Sequence, residues 1–317
     1  MGLRLKDSIR KKLYMIIVIA ILAFIGLFSI KSVVTMIKQK TNIEYKLEHH
    51  GYNEKDIKIL KKHLDNKDLT KLLDREVDKN IPLLLEEKYY IEKNLDQYLT
   101  YLKENKNTSV TKAVSYINTR ANEKWYTNPV DTDLSKGNLI LVNKFNKLGS
   151  DYTPELVNVS NWYSYGENKL TKEAYEAFIN MFNGAKDAGT KIVATSCFRS
   201  YDTQKRIYDT DVYKYGEEQT DESVAKPGFS EHQTGLAIDL LEPGYSLENF
   251  HESTAYTWLL DNAYRFGFIL RYPSDKEDIT GYSYESWHFR YVGLEAAKII
   301  HDNNITFDEY YAYYIAK

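Results

Sequence analysis

The sequence predicts an α+β domain in which helices flank a small antiparallel sheet, preceded by an α-helical stalk and one transmembrane helix. Three observations predict this class. An apolar run lies near the N-terminus, helical spacing dominates residues 41–108, and short strands mix with helices after residue 136 without a regular βαβ repeat. With 317 residues, 43% hydrophobic and 27% charged, the chain has room for one large domain or two modest ones.

The N-terminal segment reads as a membrane anchor. Leu13 to Ile30 is an uncharged run of 18 residues, just long enough to span a bilayer as a helix, and Ser32–Ile37 extends it to residue 37. Residues 1–12 are basic, so we expect them in the cytoplasm and the rest of the chain outside the cell. The exit from the apolar run has no small-x-small cleavage site, which favours an uncleaved, single-pass signal anchor in the lipid bilayer over a cleaved signal peptide.

The segment after the anchor predicts short amphipathic helices. Asn53, for example, can cap a helix with Ile57, Leu60 and Leu64 on one face. We interpret residues 41–108 as a stalk that lifts the next domain off the membrane, with a wall-binding or partner-binding module as the alternative. Residues 109–135 are polar and contain Asn128-Pro129, so we predict an irregular linker there, followed by the main domain at 136–317.

Composition limits the classes of partner and chemistry. The formal net charge of -3 gives no sign of a nucleic-acid partner. Cys197 is the one cysteine, so no intrachain disulfide forms, which fits a Gram-positive surface protein better than a small disulfide-stapled domain. We interpret Cys197 as a small filler residue rather than a nucleophile. The sequence does not indicate an oligomeric state.

Periodicity places the elements of the main domain. Apolar side chains from Tyr175 to Ala185 form one stripe of a helix that Thr171 starts and Gly189 ends. Leu236, Ile238 and Leu240 alternate as a half-buried strand. The remaining predicted elements are strands at 139–142, 192–195, 268–270 and 287–292 and helices at 255–266 and 293–303.

Two histidine and carboxylate motifs point to metal chemistry. His232 comes just before the predicted strand that carries Asp239, and Gly235 and Ala237 are expected to leave space beside that carboxylate. Glu285 precedes the later strand that starts near His288. Either motif alone would fit a structural histidine, but together two imidazoles and one carboxylate with an open fourth position suit a catalytic Zn²⁺ better than Ca²⁺. A further carboxylate that is not a ligand could accept a proton from water.

A third motif places Arg199 directly after the predicted strand at 192–195. A guanidinium in that position can grip a substrate carboxylate or polarise a carbonyl. It can equally well pair with a neighbouring acid, and position alone leaves both interpretations open.

Four segments resemble one known family in content and order: Ser196-Cys-Phe-Arg-Ser-Tyr201, Pro227–Asp239, Gly267–Pro273 and Glu285–Gly293. Over about residues 138–317 the chain is similar to the VanY-like D-alanyl-D-alanine carboxypeptidases, zinc peptidases related to the VanX dipeptidases and the LdcB-type L,D-carboxypeptidases. Two positions depart from the family's pattern, with Cys197 where Gly is usual and Ser286 where Pro is usual.

The resemblance implies a role for eight residues. One zinc ion would be held by His232, Asp239 and His288, with Glu285 as the catalytic base and Arg199 near the scissile carbonyl. Gln204 and Ser230 would help to hold the terminal D-alanine, and Tyr272 would line the pocket.

The function that the resemblance implies is a zinc-dependent carboxypeptidase acting on peptidoglycan stem peptides. D,D-carboxypeptidases and L,D-carboxypeptidases use the same zinc, base and carboxylate clamp, so the sequence does not separate them. We favour the D,D-carboxypeptidase only slightly. A zinc-holding but non-catalytic wall-binding module is an alternative, although such a module needs no Glu285. A surface protein whose stalk is the functional part is a third alternative, and it leaves the four segments unexplained.

Overall fold

A computed structural model describes residues 2–316 and the side chains of residues 9–316. The predicted basic side chains at Arg4 and Lys6 therefore lie outside the described residues. The chain forms two compact units, Met1–Tyr90 and Ile91–Lys317.

In the described part of the first unit, the regular elements are all helices. Helix α1 covers Gly2–Thr41, and its part from Ile9 to Thr41 is long and apolar enough to cross a membrane, with a mean hydropathy of 2.8 in its most apolar window. The helix suggests a membrane anchor or a signal sequence. Four shorter helices follow: α2 (Ile43–His50), α3 (Glu54–His63), α4 (Asn66–Lys71) and α5 (Asn80–Leu85).

Helix α3 begins where the sequence predicts. The Asn53 side chain accepts a hydrogen bond from the backbone N–H of Asp56, which satisfies one of the free donors at the helix start. Ile57 and Leu60 are buried one turn apart. The helix predicted after Asn53 is confirmed, but it ends at His63, so the predicted apolar position Leu64 lies just outside it.

The second unit begins with α6 (Leu95–Glu104) and α7 (Val110–Thr119). The predicted irregular linker at 109–135 is therefore wrong in its first half. Ser109 caps α7 by accepting from the Lys112 N–H at 3.1 Å, and the apolar positions Ala113, Val114 and Ile117 are all buried. These apolar residues are spaced as on one face of a helix, but the intervening Thr, Ser and Lys residues make the pattern weak in the sequence.

Four strands form the main sheet. Two small pairs precede it in the chain, β1 (Val130–Asp131) with β2 (Asn146–Lys147) and β3 (Val157–Val159) with β4 (Asn168–Leu170). The main sheet has the order β5-β6-β8-β7 and is antiparallel throughout. Its strands are β5 (Val193–Ser196), β6 (Ala237–Leu241), β7 (Phe268–Leu270) and β8 (His288–Tyr291).

Helices complete the unit and confirm the mixed α+β class. They are α8 (Lys172–Asp187), α9 (Tyr201–Tyr215), α10 (Glu217–Ser223), α11 (Thr254–Asn262), α12 (Glu277–Thr280), α13 (Leu294–Asn303) and α14 (Phe307–Tyr310). The predicted strand at 139–142 is wrong, because a 3₁₀ turn ends at Leu139 and the next three residues run as buried irregular chain.

The main core lies between α8 and one face of the sheet. Thr171 caps α8, whose buried stripe contains Phe178 and Phe182. On the facing strands Ile238 and Phe289 are fully buried in the same cluster. Because side chains alternate along a strand, Asp239 is directed to the opposite face.

Candidate active site

Cross-strand pairing brings two of the predicted metal ligands together. Asp239 in β6 lies directly opposite His288 in β8, and the two side chains share the face of the sheet that points away from α8. Asp239 Oδ1 lies 3.2 Å from His288 Nδ1. His232 approaches from the 3₁₀ turn Glu231–Thr234 just before β6, with Nε2 at 3.4 Å from Asp239 Oδ2.

These three side chains form a cluster that could hold a metal ion. One donor atom from each lies within 4.8 Å of the others, and all three residues are buried. His232 Nδ1 lies 2.6 Å from the Cys197 carbonyl, so Nδ1 donates there and the lone pair of Nε2 faces the cluster. Ligand atoms about 2.0–2.1 Å from a tetrahedral ion lie about 3.3–3.4 Å apart. Each imidazole is at about this distance from one of the two Asp239 oxygens, at 3.2 Å for His288 and 3.4 Å for His232.

The electrostatics of the cluster favour an added positive charge. Burial opposes ionisation of Asp239, but His232 and His288 hold the pKa of its carboxyl well below its usual range. Burial would lower the pKa of His288, yet the neighbouring carboxylates of Asp239 and Glu231 raise it to about 9. Asp239 Oδ1 is also buried without a hydrogen-bond partner among the described residues. The donor set therefore fits a cation.

Glu285 stands beside this cluster without belonging to it. It lies in the loop before β8, with Oε2 at 3.5 Å from His288 Nδ1 and a side chain that is 16% exposed. Burial raises the pKa of Glu285 to about 7. A carboxylate with a pKa near the working pH is suited to taking up and releasing a proton.

Arg199 follows β5 and is held from two sides. Its Nη1 donates to Gln204 Oε1 at 2.9 Å and its Nη2 to Ser196 Oγ at 3.1 Å. The nearest atom of Asp239 is 4.0 Å away, a distance too long for a hydrogen bond. The guanidinium is thus positioned mainly by neutral groups, and its side chain stays 21% exposed.

Gln204 is itself engaged at both ends of its amide. Its Oε1 accepts from Arg199, and its Nε2 donates to the Ala225 carbonyl at 2.7 Å. In this structure Gln204 orients the guanidinium, and its predicted contact with a substrate stays a prediction.

All eight residues predicted for the site line one cleft of about 190 Å³. Ser230 is one of the buried lining residues, at 5% exposed. The Tyr272 ring packs against the His288 ring with centroids 5.0 Å apart, and burial raises the pKa of its hydroxyl far above the usual range. Further lining residues were not predicted, among them Glu231, Leu247, Tyr282 and Trp287.

Gly235 has a different role from the one predicted. Its φ of +67° is a left-handed conformation, and an added Cβ would lie 2.8 Å from a methyl carbon of Leu156. Glycine is needed here for the turn between the 3₁₀ segment and β6 and for close packing against Leu156. It does not make room beside Asp239.

Cys197 is a core residue. It is 1% exposed, and burial raises the pKa of its thiol strongly, which removes the thiolate that a nucleophile requires. Its contribution to the site is the backbone carbonyl that accepts from His232.

The loop that carries Tyr272 and Glu285 is supported by residues 112–126. Lys112 Nζ pairs with Asp278 at 2.8 Å, and the hydroxyls of Tyr126 and Tyr282 are 3.2 Å apart. The Trp125 ring packs on Gly281, where an added Cβ would lie 2.8 Å from it. This part of the chain, predicted to be linker, therefore helps to shape the cleft.

A buried donor cluster with a carboxylate beside it, and a guanidinium 4.0 Å from the nearest ligand carboxylate oxygen, is compatible with a metal-assisted hydrolase. The sequence model of one family matches residues 167–294, and its description is VanY, D-alanyl-D-alanine carboxypeptidase.

Individual proteins similar to this chain are also carboxypeptidases by name. The provisionally named carboxypeptidase YodJ of Bacillus subtilis is 48% identical over 55% of this chain and 66% of its own length. A D-alanyl-D-alanine carboxypeptidase of Enterococcus faecalis is 38% identical over 56% of this chain and 67% of its own length. The solved structure of the LdcB LD-carboxypeptidase is 44% identical, with a TM-score of 0.56 over 59% of this chain and 91% of that one.

The chain belongs to the VanY-like family of D-alanyl-D-alanine carboxypeptidases. It spans about two thirds of the length of the two curated relatives described above.

Proposed function

We propose that this protein is a zinc-dependent carboxypeptidase that removes the C-terminal D-alanine from peptidoglycan stem peptides. The observation that carries the proposal is the buried cluster of His232, Asp239 and His288 with Glu285 next to it but outside it. A module that only binds cell wall has no use for a buried carboxylate whose pKa is raised to about 7.

Zinc fits the donor set better than the common alternatives. Two imidazole nitrogens and one carboxylate oxygen are the ligands of many catalytic zinc sites, whereas Ca²⁺ and Mg²⁺ prefer oxygen. In this proposal His232 Nε2, His288 Nδ1 and Asp239 hold the ion. When bound, the ion supplies Lewis-acid polarisation of the scissile carbonyl and a lowered pKa for water.

The chain's own groups then carry the proton and charge movements. Glu285 removes a proton from the attacking water and returns it to the amine of the leaving D-alanine. Arg199, held by Gln204 and Ser196, faces the cleft with free donors and stabilises the negative oxygen of the tetrahedral intermediate or the substrate carboxylate. Ser230 and Tyr272 line the same cleft and would help to hold the terminal D-alanine.

The first candidate activity is D,D-carboxypeptidase, which cuts a stem that ends in D-Ala-D-Ala. It is supported by the family description and by the Enterococcus relative. The second candidate is L,D-carboxypeptidase, which cuts D-alanine from a tetrapeptide stem. The likeness to the LdcB LD-carboxypeptidase favours it specifically.

The proposal includes a location. Helix α1 would anchor the chain in the cell membrane with the basic residues 1–12 inside, the stalk would carry the catalytic domain outward, and the cleft would meet the wall there. The substrate partner is then peptidoglycan, and the lipid partner is the bilayer around α1.

One assay tests the activity and separates the two candidates. The detergent-solubilised full chain is incubated with Zn²⁺ and muropeptides that end either in D-Ala-D-Ala or in the tetrapeptide, with a chelator as control. Mass spectrometry reports the loss of one alanine. Chelator-sensitive loss from the pentapeptide alone supports the D,D activity, and loss from the tetrapeptide alone supports the L,D activity. No loss from either by a folded, zinc-loaded chain would favour the wall-binding module.

A further inference from the structure

The second nitrogen of His288 faces a carboxylate that no step above uses. His288 directs Nδ1 to Asp239 at 3.2 Å, and its Nε2 lies 3.5 Å from Glu231 Oε2. His288 Nε2 and Glu231 Oε2 are both buried, and neither forms a hydrogen bond to another group among the described residues. The imidazole therefore lies between the proposed metal position and Glu231.

Two arginines hold Glu231 in place. Its Oε1 accepts from Arg271 Nε at 2.8 Å and from Arg290 Nη1 at 2.8 Å, and all three side chains are fully shielded from solvent. Arg271 is anchored in turn by Asp308, at 2.6 Å. Arg290 donates to the Ile140 carbonyl at 2.8 Å. With Oε1 engaged by both guanidiniums, Oε2 is left to face His288.

Such a network is expensive if it serves stability alone. Four charged groups lose their water, and buried ion pairs of this kind can often be replaced by apolar residues without loss of stability. The placement of Oε2 adds nothing to the pairing with Arg271 and Arg290. It does match a known requirement of metal-binding histidines, whose outer nitrogen usually faces a carboxylate or carbonyl that sets the tautomer and ring orientation.

We propose that Glu231 is a positioning residue that orients His288 for metal binding and is itself held by Arg271 and Arg290. The proposal rests on the metal site of the proposed function and extends it to a third carboxylate, which does not touch the ion. The Cys197 carbonyl accepts from His232 Nδ1 in the same way, so each imidazole would be oriented by a group bound to the nitrogen that does not face the ion.

The test uses Glu231→Gln in the detergent-solubilised full chain, with Asp308→Asn as the matched control. Both variants remove one negative charge from the same buried network, but Asp308 contacts Arg271 and Asn143 rather than a proposed ligand. Zinc affinity is measured by competition with a chromogenic chelator, and the site geometry by the visible absorption of the Co²⁺-loaded chain. We expect Glu231→Gln to weaken zinc binding 10–100-fold and to change the Co²⁺ spectrum. Asp308→Asn should keep both near wild type.

A second variant keeps the test decisive if Glu231→Gln does not fold. Glu231→Gln combined with Arg290→Gln restores the charge balance, and Arg290→Gln alone is its reference. The double variant should bind zinc more weakly than this reference. Equal affinity and an unchanged Co²⁺ spectrum would overturn the inference, as would an equal loss in Asp308→Asn. A wild-type chain without zinc affinity would overturn the proposed function and this inference with it.

Discussion

Replacing Glu285 by Gln should lower activity and raise the stability of the metal-free protein. The substitution keeps the shape of the side chain but removes the charge and the ability to accept a proton. Glu285 is 16% exposed and lies 3.5 Å from His288, so its carboxylate is both close to the proposed chemistry and poorly solvated. One change therefore acts on two measurable quantities in opposite directions.

The sizes of both effects follow from the structure. A positioned general base contributes about 10²–10⁴-fold to rate, or about 3–5 kcal/mol in the activation barrier. Burial raises the Glu285 pKa from 4.5 to about 7. Because the ionised form is disfavoured in the fold, stability falls as pH rises from the unfolded toward the folded pKa. The penalty is about 3 kcal/mol at pH 8 and about 1 kcal/mol at pH 5. Glu285→Gln should recover these amounts.

Two measurements check the pair of effects. Turnover is followed as release of D-alanine from muropeptides by the zinc-loaded, detergent-solubilised chain. Stability is followed as the urea midpoint of the chelator-treated chain at pH 5 and pH 8. Wild-type turnover in the variant would remove Glu285 from the mechanism. A urea midpoint at pH 8 equal to that of wild type would show that the carboxylate is not desolvated as the structure indicates.

Three further predictions concern the ligands, the guanidinium and the supporting loop. His232→Ala should lose bound zinc, as metal analysis of the purified chain will report; stoichiometric zinc in the variant would contradict the ligand assignment. Arg199→Lys should lower kcat/KM about 100-fold, because an ammonium group cannot keep both hydrogen bonds of the guanidinium and still reach the cleft, and unchanged kcat/KM would refute its role. Gly281→Ala should destabilise the domain by about 2–4 kcal/mol, because Gly281 has a φ of +74° and an added Cβ would meet Trp125. Gly166→Ala is the control: Gly166 has a φ of +71° but no atom within 4 Å of an added Cβ, so its replacement should cost only about 1–2 kcal/mol. Equal urea midpoints for the two glycine variants would show that the Trp125 contact is not tight.

The elements with strong local signals were predictable. The apolar run of α1, the Asn53 cap of α3 and the stripe of α8 each depend on neighbours within a few residues. Helix α7 was missed because Thr, Ser and Lys dilute its apolar face. The strand expected at 139–142 was wrong because an apolar run of four does not distinguish a strand from buried irregular chain.

Candidate residues for the site could be named from motifs, but their functions depend on long-range pairing. Gly235 illustrates the limit: the sequence marks it as small, and only the fold shows that Leu156 occupies the space where a Cβ would lie. Gln204 is predicted to touch substrate, and only the structure shows that its amide also bonds to Arg199 and Ala225. Short side chains and amides have many potential partners, and sequence spacing does not choose among them.

The sequence by itself determined the membrane-compatible helix and the mixed helix-and-sheet class, because periodicity is a local property. The set of eight candidate residues came from the resemblance of four segments to a known family. Only the tertiary structure decided that Asp239 in β6 lies opposite His288 in β8, since register depends on the whole sheet. Between the end of β6 at Leu241 and the start of β8 at His288 lie 46 residues of chain. It also decided which groups surround Glu231. A glutamate next to His232 is unremarkable in sequence, and it acquires meaning because folding removes water and leaves Arg271, Arg290 and His288 as its neighbours.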